Sequence, residues 1–198
     1  MLQGPMTDAG RPRQAVEQAG EAALVGRVAQ GEREAFEALY RCFHPRLGRF
    51  LERMTRRPQL VEELVNDTMM VVWRRAHTYD RTSKVSTWIF AIAYRKALKA
   101  LHRLDDPVDH EPDEEPGELQ AGPEGQLLGQ ERRRLLGRAV ATLPPEQRAA
   151  IELTYFHGCA YREIADIMGC PVDTVKTRMY HARRKLKGLL AASIGDEP

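Results

Sequence analysis

The sequence predicts an all-α chain of two small helical domains joined by a flexible acidic linker, the second domain carrying a helix-turn-helix. Three observations predict it. Apolar residues recur at three-to-four spacing through most of the chain, and no segment shows the period-two alternation of a strand. The segment 105–130 holds 9 acidic residues and no Lys or Arg, and it is rich in proline and glycine. A basic helical stretch near the end follows a short apolar helix and a glycine.

From Glu21 the stretch "EAALVGRVAQGEREAFEALYRCFHPRLGRFLERM" groups Leu24, Val25 and Val28, then Phe36, Leu39, Tyr40 and Phe43, then Leu47, Phe50 and Leu51. Gly31 and Pro45 are expected to punctuate it. Before it, glycine, proline and polar residues read as a tail over 1–18. Both Met1 and Met6 are candidate starts, and the opening residues lack the apolar core of a signal peptide. After Pro58, Leu60, Leu64, Val65, Met69 and Val72 carry the helical period. The polar "DRTSKVS" breaks it, and Ser86 suits an N-cap for "TWIFAIAYRKALKALHRL", whose Ile89, Ile92, Ala93 and Leu101 form a buried side.

Periodicity resumes at "RRRLLGRAVATL". "LPPEQRAAIELTYFHG" opens with proline where a first turn tolerates it and closes on Gly158. "AYREIADIMG" is one more short helix ended by Gly169. The expected organisation is a tail (1–18), a helical domain (19–104), the acidic linker (105–130), a second helical domain (131–192) and a tail (193–198).

The 198-residue chain has a net charge of only +2, but charge is segregated. From Arg132 to Lys187 there are 12 Lys/Arg against 5 Asp/Glu, a local +7. Such asymmetry points to an anionic partner for the second domain. Cys42, Cys159 and Cys170 are odd in number and scattered, which fits a reducing compartment and not a disulfide framework. No apolar run approaches the ~18 residues of a membrane span, so the chain reads as cytoplasmic.

The basic stretch "CPVDTVKTRMYHARRKLKGLL" resolves on a helical wheel. With Val175 at 0°, Met179, Ala182 and Leu186 fall within about 40° of it. Thr177, Tyr180, His181 and Arg184 take the opposite side, with Lys176 and Arg183 on one shoulder and Arg178 and Lys185 on the other. Ala165 is small enough for a crossing helix, and Gly169 supplies a tight turn. That is the layout of a helix-turn-helix whose second helix enters the major groove. Lys176 and Arg184 can donate to guanine edges or phosphates, and Thr177 offers a hydroxyl and a methyl. Tyr180 and His181 add contact area and hydrogen bonds. Arg178 and Arg183 are placed to grip phosphates and set register.

Cys159, Cys170, His157 and His181 have irregular spacing and no CxxC pair, and His181 points away from the core stripe, so the cysteines read as small buried residues and not as zinc ligands. No nucleophile–base constellation, phosphate loop or metal cluster is legible, so no catalytic residue, metal or cofactor is expected. "WIFAIAYRKALKALHR" interleaves Trp88, Phe90 and Tyr94 with Arg95, Lys96, Lys99 and Arg103. This pattern suits single-stranded nucleic acid, and core packing with a solvated face accounts for it equally well.

Taken together, "VEELVNDTMMVVWRRAHTYD", "VSTWIFAIAYRKALKALHR" and "LPPEQRAAIELTYFHGCAYREIADIMGCPVDTVKTRMYHARRKL" resemble the successive signatures of bacterial extracytoplasmic-function sigma factors, the smallest members of the sigma-70 family. The resemblance spans most of Phe36 to Leu190. It implies a promoter-specificity subunit, not an enzyme, whose partners are core RNA polymerase, promoter DNA and commonly an anti-sigma factor. It implies no membrane insertion and no small-molecule substrate. By the resemblance, Glu62, Glu63, Asp67 and Trp73 would dock on the clamp helices of the polymerase large subunit. Ser83, Lys84, Ser86, Arg95, Lys96 and Lys99 would capture the melted minus-10 strand. Lys176, Thr177, Tyr180 and His181 would read the minus-35 element, and the acidic linker would thread toward the active-site cleft and RNA exit channel.

Three positions depart from the family pattern: His181 where arginine is frequent, Asp173 where glycine is common, and Lys96 where asparagine is frequent. Two other classes compete. A conventional helix-turn-helix regulator would need a sensory or dimerising module in residues 20–104, whose helical reading without strands argues against one. A nuclease would need a carboxylate cluster in a folded pocket, whereas the clustered acids lie in the linker.

Overall fold

The computed structural model describes residues 11–105 and 136–195, with side chains described over 19–104 and 136–189. Among the described residues there are helices and turns and no strand. The helices are α1 (Arg11–Val28), α2 (Arg33–Thr55), α3 (Val61–Arg75), α4 (Val85–Asp105), α5 (136–141), α6 (Pro145–Tyr155), α7 (Tyr161–Met168) and α8 (Val172–Gly195). Beyond Asp105, the acidic stretch expected to be a linker lies outside the described residues.

Helix α2 is the spine of the first group. Its Leu39, Phe43, Leu47, Phe50, Leu51 and Met54 are fully buried, at the three-to-four spacing read from the sequence. Against it pack Val25 and Val28 of α1, Leu64, Val65, Met69 and Val72 of α3, and Val85, Ile89 and Ala93 of α4. Gly31 turns the chain between α1 and α2 at φ +84°, a conformation glycine adopts without a Cβ clash.

Three local expectations are corrected. Pro45 lies inside α2 and does not interrupt it. It is solvent-exposed, and the buried Phe43 and Leu47 on either side hold the helix across the one lost backbone bond. Helix α4 starts ahead of Ser86: the Trp88 N–H already bonds to the Lys84 carbonyl at 3.1 Å, so Ser86 sits in the first turn. Helix α1 begins at Arg11, well before the apolar period sets in at Glu21: Pro12 falls in the first turn, where it is tolerated, and Arg13, Gln14, Ala15, Glu17, Gln18 and Ala19 are good helix formers.

The second group folds around Leu143, Leu153, Ile164, Ile167, Val175, Met179 and Ala182. The carbonyl of Pro144 accepts the N–H of Arg148 at 3.0 Å as α6 opens. Glu163 closes the start of α7, its carboxylate accepting the Ala160 N–H at 2.8 Å. Gly158 and Gly169 both take φ near +64°, the left-handed value that ends a helix cheaply only at glycine.

The two groups are packed on one another. Helix α7 lies on α4, and α6 lies on α2. Arg53 Nη1 donates to Glu152 Oε1 at 2.8 Å, and Arg148 Nε donates to the Met54 carbonyl at 2.9 Å. Arg56, left-handed at φ 59° just past α2, donates to the Ala141 carbonyl at 3.1 Å. The His157 ring stands 6.0 Å from Phe50 and 4.7 Å from Phe90. Both groups therefore contribute to one continuous apolar core.

Candidate nucleic-acid interface

The helix-turn-helix is built by α7, the Gly169–Pro171 turn and α8. The N–H of Cys170 bonds back to the Ala165 carbonyl at 3.1 Å, and the Pro171 carbonyl accepts from Val175 at 3.3 Å as α8 begins. The apolar stripe behaves as the wheel requires: Val175, Met179 and Ala182 are buried and Leu186 half-buried against α6 and α7. Lys176, Thr177, Tyr180, His181, Arg183 and Arg184 are all exposed on the other side.

Several of these side chains have intramolecular partners. Lys176 Nζ pairs with Asp173 Oδ1 at 2.9 Å, and Thr177 Oγ1 donates to the Asp173 carbonyl at 2.9 Å. Arg183 Nε donates to the Tyr155 hydroxyl at 3.1 Å. Tyr180, 61% exposed, stands edge-on to the His181 ring at 5.4 Å. Arg178 differs from the rest: it is half-buried, its Nη1 donates to Cys170 Sγ at 3.5 Å, and its charge lies beside the Tyr94 hydroxyl of α4. Burial pushes the Tyr94 hydroxyl up to about 12 even with that guanidinium beside it.

In the first group α3 divides its residues by face. Leu64, Val65, Thr68, Met69 and Val72 point inward, while Glu62, Glu63 and Asp67 are exposed. Met70, 45% exposed, lies among those acids. Sequence reading missed it; the signal was the Met69–Met70 pair, since only Met69 is in register with the core. Trp73 is half-buried, edge-on to Phe36 at 5.2 Å. Glu62 pairs with His44 at 3.2 Å and Asp67 with Lys96 at 2.7 Å.

The loop before α4 is held by its own polar groups. Asp80 Oδ1 accepts from the Thr82 N–H at 2.9 Å and from its hydroxyl at 2.7 Å, and these bonds hold the Asp80 carboxyl below its ordinary value. The Tyr79 hydroxyl donates to the Ser83 carbonyl at 2.6 Å. Ser83 and Ser86 are half-buried. Arg95 and Lys99 share an exposed strip of α4 with the half-buried Trp88, whose ring lies 5.4 Å from Tyr79. The pairing of Trp88 and Tyr79 was not legible in the sequence, because it depends on how the loop folds back. Lys96 turns to α3, and Lys84 Nζ reaches across to Glu163 Oε1 of α7 at 2.7 Å.

None of the three cysteines is in a disulfide, and all are half-buried. Burial pushes the Cys159 thiol up to about 11, and it contacts the His157 carbonyl at 3.9 Å. Among the described residues no three His, Cys, Asp or Glu side chains are grouped to hold a metal ion, and no helix is long and apolar enough to cross a membrane.

Comparison with known proteins places this geometry. Residues 39–106 match Sigma-70 region 2 and residues 133–186 match Sigma-70, region 4. The chain is 35% identical over 158 residues to the ECF RNA polymerase sigma factor RpoE of Cereibacter sphaeroides, covering 77% of this chain and 84% of that relative. It is 31% identical over 180 residues to the ECF RNA polymerase sigma-E factor of Escherichia coli, covering 86% and 94%. Among solved structures it is similar to the sigma factor RpoE of Bartonella quintana, determined in complex with the anti-sigma factor NepR, with TM-score 0.64, 26% identity and coverage of 79% and 96%. CnrH, solved with the cytosolic domain of CnrY, shares the fold at TM-score 0.65 and 22% identity, over 87% of this chain and 98% of that one. With both sigma-70 regions in order, and relatives matched over most of their length, this chain belongs to the ECF sigma factors: it is an alternative sigma factor, a DNA-binding transcription initiation factor.

Proposed function

We propose that the chain acts without enzymatic chemistry of its own, in the cytoplasm, by binding core RNA polymerase and directing it to a small set of promoters. In this reading the exposed face of α3, with Glu62, Glu63, Asp67 and Met70 and the neighbouring Trp73, docks on polymerase. Residues 19–104 and 131–192 act as the minus-10 and minus-35 modules, and 105–130 is the tether between them. The melted minus-10 strand is captured at Ser83, Lys84 and Ser86 and along the α4 strip of Arg95 and Lys99, with Lys96 beside it. Trp88 and Tyr79 supply ring faces for base stacking there. The minus-35 duplex is read by Lys176, Thr177, Tyr180, His181 and Arg184, with Arg178 and Arg183 on phosphates.

One observation carries the reading. The buried stripe of α8 leaves six polar and aromatic side chains exposed on a helix held by a tight glycine turn, the arrangement a major groove accepts. The solved relative with an anti-sigma factor bound supports a protein partner of that class here as well.

The test is run-off transcription from a randomised promoter library, using bacterial core polymerase with and without the chain. Selection of a two-part motif is the expected result. Unchanged core transcription, with duplex retained by the chain alone, would instead identify a conventional helix-turn-helix regulator.

A further inference from the structure

The seam between the two groups of helices holds a basic pocket that the promoter-reading function does not use. Its volume is about 260 Å³, and it is lined by Arg46, Arg49 and Arg53 of α2, by Glu152 of α6 and by Phe156 and His157 just beyond that helix. With Arg46 at 0°, Arg53 falls near 340° and Arg49 near 300°, so one face of α2 presents all three guanidinium groups.

Two of the three are held in place. Arg46 pairs with Glu21 at 2.9 Å and lies over the Phe43 ring at 4.7 Å. Arg53 pairs with Glu152 at 2.8 Å and lies over the Phe156 ring at 4.0 Å. A guanidinium carries five N–H donors, so one carboxylate partner leaves others to give. Arg49 is exposed and has no hydrogen bond or ion pair among the described residues.

The fourth group is a ring nitrogen. His157 Nε2 is buried and has no hydrogen-bond partner among the described residues, and a polar atom withdrawn from water is costly to leave unpaired. Phe50 and Phe90 fix the ring, with centroids 6.0 and 4.7 Å away. Burial, aided by Arg46, Arg49 and Arg53, holds its pKa down to about 4. The imidazole is therefore neutral near pH 7, and an acceptor at Nε2 selects the tautomer that donates from it. Glu152 is the one carboxylate in the lining, and burial raises it to about 7, so its charge is only partly present near neutrality. The lining stays cationic.

Donors that converge from one helix face and the end of another suit the three or four oxygens of a tetrahedral group better than the two of a carboxylate. A pocket of this size admits a phosphate group or a small phosphorylated compound, but not a duplex. We propose that the pocket binds a phosphate group, its oxygens accepting from the guanidinium groups of Arg46, Arg49 and Arg53 and from the Nε2–H of His157. The seated arginines are ordered before the ligand arrives, which lowers the entropy lost on binding.

The test is calorimetric titration of the full chain with inorganic phosphate, pyrophosphate and ADP, at an ionic strength held constant with chloride. One saturable site per chain is expected for at least one of the three. Arg49→Gln, at an exposed residue with no partner to lose, should weaken it about ten-fold or more. Arg41→Gln removes the same charge from an exposed position of α2 outside the pocket and should change it less than about two-fold. In NMR spectra the His157 ring signals, assigned by their loss in His157→Gln, should move on binding, and their titration midpoint should rise from about 4. Tighter binding of ADP than of pyrophosphate would assign the phosphate to a nucleotide, with Phe156, 59% exposed, as the ring for its base; equal or weaker binding would assign it to an inorganic source. No saturable binding of any probe overturns the proposal. So do equal losses in Arg49→Gln and Arg41→Gln, which would mean diffuse attraction, or binding that leaves the His157 signals unmoved.

Discussion

The guanidinium of Arg148 donates from Nε to the carbonyl of Met54 at 2.9 Å, so a cation of α6 satisfies the last turn of α2, 94 positions earlier in the chain. Its Nη1 also serves the carbonyls of Leu143 and Ala141 at 2.8 and 3.2 Å. The side chain is 9% exposed, and burial lowers its pKa to about 10, well within the range where it stays charged. Arg148→Ala removes a donor from the Met54, Leu143 and Ala141 carbonyls, of which Ala141 keeps Arg56, and a lost charged bond at such a buried site costs about 3 kcal/mol. Urea unfolding should show that loss, with Arg148→Lys recovering only part of it because one ammonium cannot reproduce the planar fork. A change under about 0.5 kcal/mol would mean that water replaces the guanidinium.

Two titrating groups in the seam pull stability in opposite directions with pH. Burial, aided by Arg46, Arg49 and Arg53, lowers His157 from 6.5 to about 4. The unfolded chain then takes up this proton first as pH falls, and His157 makes stability drop from about 6.5 to about 4. Glu152 is raised by burial from 4.5 to about 7, against the pull of Arg53. Its contribution is fully present below 4.5 and is lost as pH rises through about 7. The slopes oppose each other between about 4.5 and 6.5. Urea midpoints across this range should therefore rise more steeply with pH in Glu152→Gln than in wild type. In His157→Gln they should rise less, or fall. Parallel profiles for all three proteins would contradict the assigned shifts.

Gly169 sits at φ +64°, and a Cβ added there would meet nothing within 4 Å, so a substitution encounters backbone strain and no clash. Gly169→Ala should destabilise the chain by about 1–2 kcal/mol, the left-handed penalty for an L-residue, and Gly169→Asn by less. Thermal unfolding distinguishes the two; equal losses would point to a cause other than φ.

Exposure divides the phosphate candidates. Arg183→Ala should reduce the salt slope of promoter binding by about one while leaving sequence preference intact. His181→Arg should instead shift preference at one or two minus-35 positions by about 1–3 kcal/mol. Arg178→Ala should leave the salt slope of the free chain nearly unchanged, because its guanidinium is held in the seam. Equal slopes for Arg178→Ala and Arg183→Ala would show that Arg178 reaches DNA as readily as Arg183.

The α8 stripe and the glycine turns were legible in the sequence because each depends on residues within a few positions of one another. The 3.6-residue period places Val175, Met179 and Ala182 on one side wherever the helix sits, and Gly169 marks the only backbone conformation that suits the turn. The same local rules placed Leu39, Phe43, Leu47 and Phe50 in the core. They failed at Pro45 and Ser86, where burial of neighbouring residues outweighed a breaker and a cap.

The tertiary structure alone decided which cations are free. A helical wheel gives the angle at which Arg178 or Lys84 leaves its helix, but a long side chain with several rotatable bonds ends where a partner holds it. Those partners, Tyr94 and Glu163, belong to the opposite module. Sequence determined the two helical groups, the helix-turn-helix and the face it offers, because those follow from short-range periodicity. That α4 is covered on two sides follows only from apolar surfaces far apart in the chain finding one another, and no local pattern records that meeting.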